Sequence, residues 1–238
     1  MLDPVSVADA ARLLELSPAR VRMMASNGQL PAAKIADRWV VERGAVEQRR
    51  RQKAPPGRRF TPRNAWAVLL LASGQETHAL DPADRSRLRK AAALEALKNL
   101  APRLRGRAEI SVYRAHPGEI PYVLKDEALL RSGISAAQSI DAGLLSGHEA
   151  DGYIARSQLR RFASEHALSP ADVDGNVRLR VVPTDVWRSL KLGGRAVAPP
   201  AAVALDLAEE HDPRSRAAGR KILDEIDRAN RANWKSRR

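Results

Sequence analysis

The 238 residues hold forty-one Lys and Arg against twenty-eight Asp and Glu, a formal charge of +13, and include no cysteine. Disulfides and Cys-ligated zinc are thereby excluded, which fits a reducing compartment. Such an excess of positive charge suits a polyanion partner, since each neutralised phosphate releases condensed counterions.

Aromatic residues are 4% of the chain, too few for the stacking platforms of single-strand and RNA binders. Duplex DNA fits better, although a chain rich in Ala and Arg also gains charge from arginines that are merely solvated. Met1-Leu2-Asp3-Pro4 lacks the basic-then-apolar build of a signal peptide, and the longest apolar stretch, Trp66 to Ala72, is too short to span a bilayer. A soluble, cytoplasmic, nucleoid-associated protein without membrane contact is expected.

Residues 1–53 read as one compact motif. Ser6 caps a helix whose apolar stripe is Ala10, Leu13 and Leu14, ending at Leu16. Ser17-Pro18 opens a second helix, with Ser as cap and Pro in the first turn, running to Ser26 before the Asn27-Gly28 stop. About three residues join the two helices, too few for a comfortable antiparallel pair, so a steep crossing is expected. Val21, Met24 and Ala25 share the face that packs on the first helix. The opposite face carries Ala19, Arg22, Met23 and Ser26, with Arg20 on its flank. Small residues beside arginines let such a helix lie deep in a major groove. Ala33 to Ala36 and Trp39 to Val41 then pair as a hairpin across Asp37-Arg38. Its tip offers Lys34 and Arg38 to phosphates or a minor groove. Arg43 to Gln48 is a closing helical turn, followed by the basic run from Arg49 to Lys53.

Residues 54–59, Ala-Pro-Pro-Gly-Arg-Arg, have the composition of a linker. Residues 60–100 form a helical segment. Thr61-Pro62 starts one helix that ends by Gly74, Asp81-Pro82 starts another, and Ala91 to Leu100 is rich in helix formers. Residues 101–229 mix strands and helices. Glu109 to Tyr113 alternates as a strand, and Tyr122 to Leu124 reads as another after Pro121. Ser135 to Ile140 is a short helix, Gly152 to Ala155 a strand, and Arg156 to His166 an amphipathic helix. Asn176 to Val182 is the clearest strand, with Val177, Leu179 and Val181 on one face and Arg178 and Arg180 on the other. A long helix from Pro200 to Ala229 is interrupted by Pro213, and residues 230–238 are a basic, frayed tail.

Val7 to Gln48 resembles the winged helix-turn-helix of phage excisionases and MerR-type regulators. The resemblance rests on Ser17-Pro18-Ala19-Arg20-Val21-Arg22, Asn27-Gly28-Gln29-Leu30-Pro31-Ala32 and the hairpin that follows. It implies that the second helix enters the major groove through Arg20, Arg22, Met23 and Ser26. It also implies that the wing grips the adjacent backbone through Lys34 and Arg38. Trp39 either joins that grip or packs as core beneath the hairpin. Ser17 at the helix start, and Arg49 and Arg50 in the basic run, complete the candidate DNA-binding set.

Residues 100–227 are similar to the C-terminal domain of AbiEi-type antitoxins of abortive-infection systems. The similarity lies in Ser132-Gly133-Ile134-Ser135-Ala136-Ala137, in Asn176 to Pro183, and in Ala198 to Leu207 followed by Asp212-Pro213-Arg214. It implies a repressor of its own operon paired with a nucleotidyltransferase-type toxin. Those antitoxins usually carry a different winged-helix module at the N-terminus, and there this chain departs.

No catalytic centre can be assembled. Five histidines are scattered without metal-ligand spacing, and Asp172-Val173-Asp174 begins like a calcium loop but has Pro183 where the twelfth-position glutamate belongs. Asp206, in an otherwise apolar stretch, is expected to pair with an arginine, for instance one on the Val177 strand, and Ser132-Gly133 could bind an anion at a helix start. The expectation is an α+β protein without cofactor, metal or enzymatic activity. It would be a sequence-specific regulator, and because one small module has too small a footprint, the remainder of the chain would supply homodimerisation, a second DNA contact or toxin docking. One rival is an excisionase-like architectural factor, against which the large remainder of the chain argues. Another is a DNA-targeted modifying enzyme, which would need a carboxylate or histidine cluster in residues 100–227.

Overall fold

A computed structural model describes residues 4–14, 16–26, 30–35, 38–52, 59–77, 81–144, 147–171, 175–192, 194–210 and 212–236. The Asn27-Gly28 stop, Asp37 of the hairpin turn, linker residues 54–58 and the Asp172–Asp174 turn lie outside them. Two compact units divide the chain, residues 1–56 and 57–238.

The first unit holds β1 (Pro4–Ser6), α1 (Val7–Leu14), α2 (Pro18–Ser26), β2 (Ala32–Ile35), β3 (Arg38–Glu42) and α3 (Arg43–Gln52). Its sheet is antiparallel in the order β1-β3-β2. Ala10 and Leu14 of α1 meet Val21 and Met24 of α2, and Leu30, Val41 and Val46 close a core from which water is excluded. α3 runs four residues beyond the turn expected at Arg43 to Gln48.

The second unit begins with three helices, α4 (Pro62–Ala72), α5 (Pro82–Leu94) and α6 (Leu97–Leu104). Their starts follow from local chemistry. Thr61 Oγ1 accepts from the Asn64 amide at 3.3 Å and Asp81 Oδ1 from the Asp84 amide at 2.9 Å, each with Pro at the first helical position. The helix-rich run Ala91 to Leu100 is broken at Glu95 and Ala96. The break is tertiary in origin, because both carboxylate oxygens of Asp227 accept from the Leu97 amide at 3.0 Å and so restart the helix.

There follow β4 (Glu109–Arg114), α7 (Ile120–Lys125), β5 (Leu130–Arg131), a 3-10 helix over Gly133–Ile140, β6 (Ala150–Ala155), α8 (Leu159–Glu165), β7 (Ser169–Pro170) and β8 (Val177–Val182). The chain then adds α9 (Thr184–Lys191), α10 (Pro200–Ala208) and α11 (Pro213–Ser236). The sheet order is β5-β6-β8-β4-β7, with β6 and β8 parallel and the other pairs antiparallel. The alternation in β8 holds, but both faces are covered. Val177, Leu179 and Val181 join Ile120, Val123 and Phe162 in one core, while Val182 joins α4 and α10 in the other. That larger core draws on Trp66 and Leu97 as well as Tyr153 and Leu205, so residues 60–100 and 101–229 share it.

Three expectations are corrected. Tyr122 to Leu124 is part of α7 and not a strand. Pro121 serves as a helix-start proline, and Ile120 and Val123, three apart, are both buried while Tyr122 is exposed. The helix expected from Arg156 begins at Leu159, because residues 156–158 form a turn in which Arg156 pairs with Glu109 at 2.6 Å. The tail expected to fray from residue 230 continues α11 to Ser236, with Asn230 Nδ2 donating to the Ala72 carbonyl at 3.0 Å.

α10 is buried on nearly every side, and α11 crosses it closely at Gly219. A methyl group there would stand 2.6 Å from the Ala204 carbonyl oxygen and 2.9 Å from the Leu207 carbonyl carbon, both backbone atoms that cannot swing aside. Gly219→Ala is therefore expected to lower stability by at least the ~1–3 kcal/mol typical of overpacking, measured by urea unfolding. An unchanged urea midpoint would mean that the two helices can separate at no cost.

His166, at the end of α8, is clamped between Glu119 (Nδ1 to Oε1, 2.7 Å) and Asp126 (Nε2 to Oδ2, 2.9 Å). Burial alone would lower its pKa, but the hydrogen bonds and charges of the two carboxylates outweigh burial and raise it above 6.5. Burial likewise opposes ionisation of Asp126, yet the Ala128 amide and His166 bring that carboxyl below 3.8. The raised His166 contributes stability that is full below its unfolded value and lost as pH rises through the folded one. The depressed Asp126 contributes above its unfolded value and is lost as pH falls. The urea midpoint should thus drop as pH rises from the ordinary histidine value of about 6.5 through the raised value of folded His166, and His166→Gln should flatten that drop.

Candidate nucleic-acid interface

The geometry starts with two capped helices. Ser6 Oγ accepts from the Asp9 amide at 3.0 Å at the head of α1, and Ser17 Oγ from the Arg20 amide at 3.2 Å at the head of α2. Helix α1 ends at Leu14 and α2 begins at Pro18, and the Leu16 amide donates back to the Ala11 carbonyl at 3.0 Å. The faces of α2 then separate by period. Val21, Met24 and Ala25 are 0%, 1% and 6% exposed, and they are held against α1 and the sheet. Arg20, Arg22, Met23 and Ser26 are all exposed, Met23 to 42%. At spacings of three and four they line one side of the helix, Arg20 above Met23 and Arg22 above Ser26. Ser26 Oγ donates to the Met23 carbonyl at 2.9 Å, which pins that hydroxyl to the last turn.

The hairpin is formed, but it divides its two cations. Lys34 lies opposite Trp39 and Ile35 opposite Arg38. Directly paired residues share a face and successive residues alternate, so Lys34 and Arg38 point to opposite faces of the ribbon. A surface laid against one face meets one of them, not both. Trp39 is half-buried, while Ile35 is 59% exposed beside Arg38 and was not singled out in the sequence. The signal was available in the alternation of Ala33, Lys34 and Ile35. Arg49 is exposed on α3, where it interacts within the chain, as Lys34 also does. Arg50 follows it in the same helix.

Residues 5–54 match the sequence model of the helix-turn-helix domain family. This unit is a helix-turn-helix domain. No curated protein and no solved structure matches the chain. The match supports a DNA-binding, regulatory role with DNA as a partner. Among the described residues no helix is long and apolar enough to cross a membrane.

The second unit assembles a charged cluster of which the sequence pointed to one pair, Asp206 with an arginine of the Val177 strand. Asp206 on α10 is fully buried and takes Arg107 at 2.5 Å, Arg180 at 3.1 Å, the Tyr153 hydroxyl at 2.9 Å and the Ser132 hydroxyl at 2.5 Å. The expected pairing of Asp206 with an arginine of the Val177 strand is there, in Arg180. Asp151 takes Arg180 through two contacts of 2.8 Å, Glu209 takes Arg107 at 2.5 Å, and Glu210 pairs with Arg178. Burial would raise the Asp206 pKa, but Arg180 and Arg107 hold it below 3.8. Burial with the Asp206 charge beside it pushes the Tyr153 phenol far up, so that hydroxyl stays protonated. Asp206 and Asp151 are thus occupied by guanidinium groups in the interior, with Glu209, Glu210 and Arg178 at its partly exposed edge, which makes the cluster a lock between α10 and the sheet. Ser132 spends its hydroxyl on Asp206 and is not exposed to an outside anion. Among the described residues no group of three His, Asp or Glu is placed to hold a metal.

Proposed function

We propose that the protein is a sequence-specific transcriptional regulator of the winged helix-turn-helix type, an antitoxin-like autorepressor of a toxin-antitoxin operon. The observation that carries this reading is the exposed face of α2. Two arginines, a methionine and a serine project from a helix whose other face is anchored at 0–6% exposure in a helix-turn-helix domain. Arg20 and Arg22 read base edges in the major groove, Met23 meets a thymine methyl, and Ser26 lies at the end of the read segment. The β2–β3 hairpin acts as the wing, with Arg38 and the exposed Ile35 on one face and Lys34 on the other. Arg49 and Arg50 add phosphate contacts along α3.

In this reading the protein acts by occupancy and catalyses no reaction. It binds as a homodimer, because one small module supplies too few base contacts for operator specificity. It takes a nucleotidyltransferase-type toxin as partner through residues 100–227, whose Ser132-Gly133, Asn176–Pro183 and Ala198–Leu207 segments support the antitoxin assignment. The test is selection of bound fragments from genomic DNA by the full chain, followed by footprinting with Arg20→Ala/Arg22→Ala. A protected site at the protein's own promoter, lost in the double variant, is expected. Unchanged footprints in that variant would remove α2 from recognition.

A further inference from the structure

The second unit contains a cavity of about 450 Å³ between α4, α9 and the segments that follow each of them. Trp66, Leu70, Val186 and Leu190 form its apolar walls, and the indole Nε1 of Trp66 is turned away, donating to the Arg107 carbonyl at 3.0 Å. The polar groups of the lining fall into two sets. Glu76 is taken by Arg89 at 2.9 and 3.1 Å, and Ser189 Oγ donates to the Asp185 carbonyl. Thr77 Oγ1 and one terminal nitrogen of Arg195 are buried and have no hydrogen-bond partner among the described residues. Thr77 is only 5% exposed. The backbone that carries Arg195 is fixed, because Lys191 Nζ donates to the Arg195 carbonyl at 2.8 Å.

A buried hydroxyl and a buried guanidinium N–H without partners are costly, and such groups mark places where a ligand atom belongs. Both line one cavity, whose volume falls in the range of small-molecule sites and whose walls are mostly apolar. With Glu76 neutralised by Arg89, the charge left in the lining is that of Arg195 and, at the rim, Arg63. We propose that this cavity binds a small organic carboxylate with an apolar body. The carboxylate accepts from Arg195 and Thr77, and the body lies against Trp66, Leu70 and Leu190. Every residue involved belongs to the second unit, so the proposal stands apart from DNA binding.

The test is calorimetric titration of the full chain with octanoate and phenylpropionate, each against its neutral primary amide. Saturable one-to-one binding of at least one acid is expected, with its amide weaker by about tenfold or more, the worth of one charge-assisted hydrogen bond. Arg195→Met keeps the aliphatic stem and should weaken the acid by a similar factor. Thr77→Val keeps the shape and should weaken it severalfold. A pocket that holds only water would give no saturable heat with either acid, and that result overturns the proposal. So does an amide that binds as tightly as its acid, or an acid whose affinity Thr77→Val leaves unchanged. The acid-amide comparison needs no variant and decides the matter even if Arg195→Met fails to fold.

Discussion

Asp206→Ala is expected to cost about 3–5 kcal/mol of folding stability, the range found when one partner of a buried ion pair is removed. Asp206 is fully buried, and its two oxygens serve Arg107, Arg180, Tyr153 and Ser132. Alanine would leave two guanidinium groups, each only 3% exposed, with one anionic partner fewer, and two hydroxyls without an acceptor. Arg107 keeps Glu209 and Arg180 keeps Asp151, so the lower half of the range is the expectation. Asp206→Asn retains part of the hydrogen bonding and should fall between alanine and the native chain. Replacing Asp206, Asp151, Arg107 and Arg180 together by apolar residues should cost less than Asp206→Ala alone, because every fully buried charge is then removed and Glu209, 27% exposed, reaches water. Urea unfolding followed by circular dichroism measures all three. A loss below about 1 kcal/mol for Asp206→Ala would show that water reaches the arginines and that the cluster is not a lock.

Arg20→Ala/Arg22→Ala should reduce the preference for the selected operator over random DNA by about 2–6 kcal/mol, at ~1–3 kcal/mol for each bidentate contact to a base. The variant should still fold, because both side chains are exposed and the packing face of α2 is untouched. Residual, sequence-independent binding should survive, since the remaining cations still release counterions. Arg38→Ala supplies the contrast. It should weaken operator and random DNA alike and lower the salt slope by about 0.9 if it neutralises one phosphate. Titration of labelled operator and random duplexes at several salt concentrations separates the two behaviours. Should Arg20→Ala/Arg22→Ala act like Arg38→Ala, α2 would touch the backbone and not the bases.

Local chemistry was legible where one residue decides an outcome. Ser17, Thr61 and Asp81 announce helix starts because a side-chain oxygen can satisfy an otherwise unpaired amide, and each does so. The faces of α2 were legible because its apolar residues recur at helical spacing. Short apolar runs were not: Tyr122 to Leu124 suits strand or helix equally, and the packing of Ile120 and Val123 chose helix. The hairpin was expected in the right place, yet the faces taken by Lys34 and Arg38 depend on a register that composition does not specify.

By itself the sequence determined the capped two-helix unit with its arginine-bearing face, the break before Pro213 and the need of Asp206 for a cationic partner. All three rest on forces acting within a few residues, or on the cost of burying an unpaired charge in an apolar helix. Tertiary structure alone decided that Arg107 joins Arg180 around Asp206, that Asp227 restarts a helix at Leu97, and that Thr77 and Arg195 face one cavity. Those groups lie about a hundred residues apart in the chain. Only the packing of α10, α11 and the sheet brings them within reach, and no local pattern records that distance.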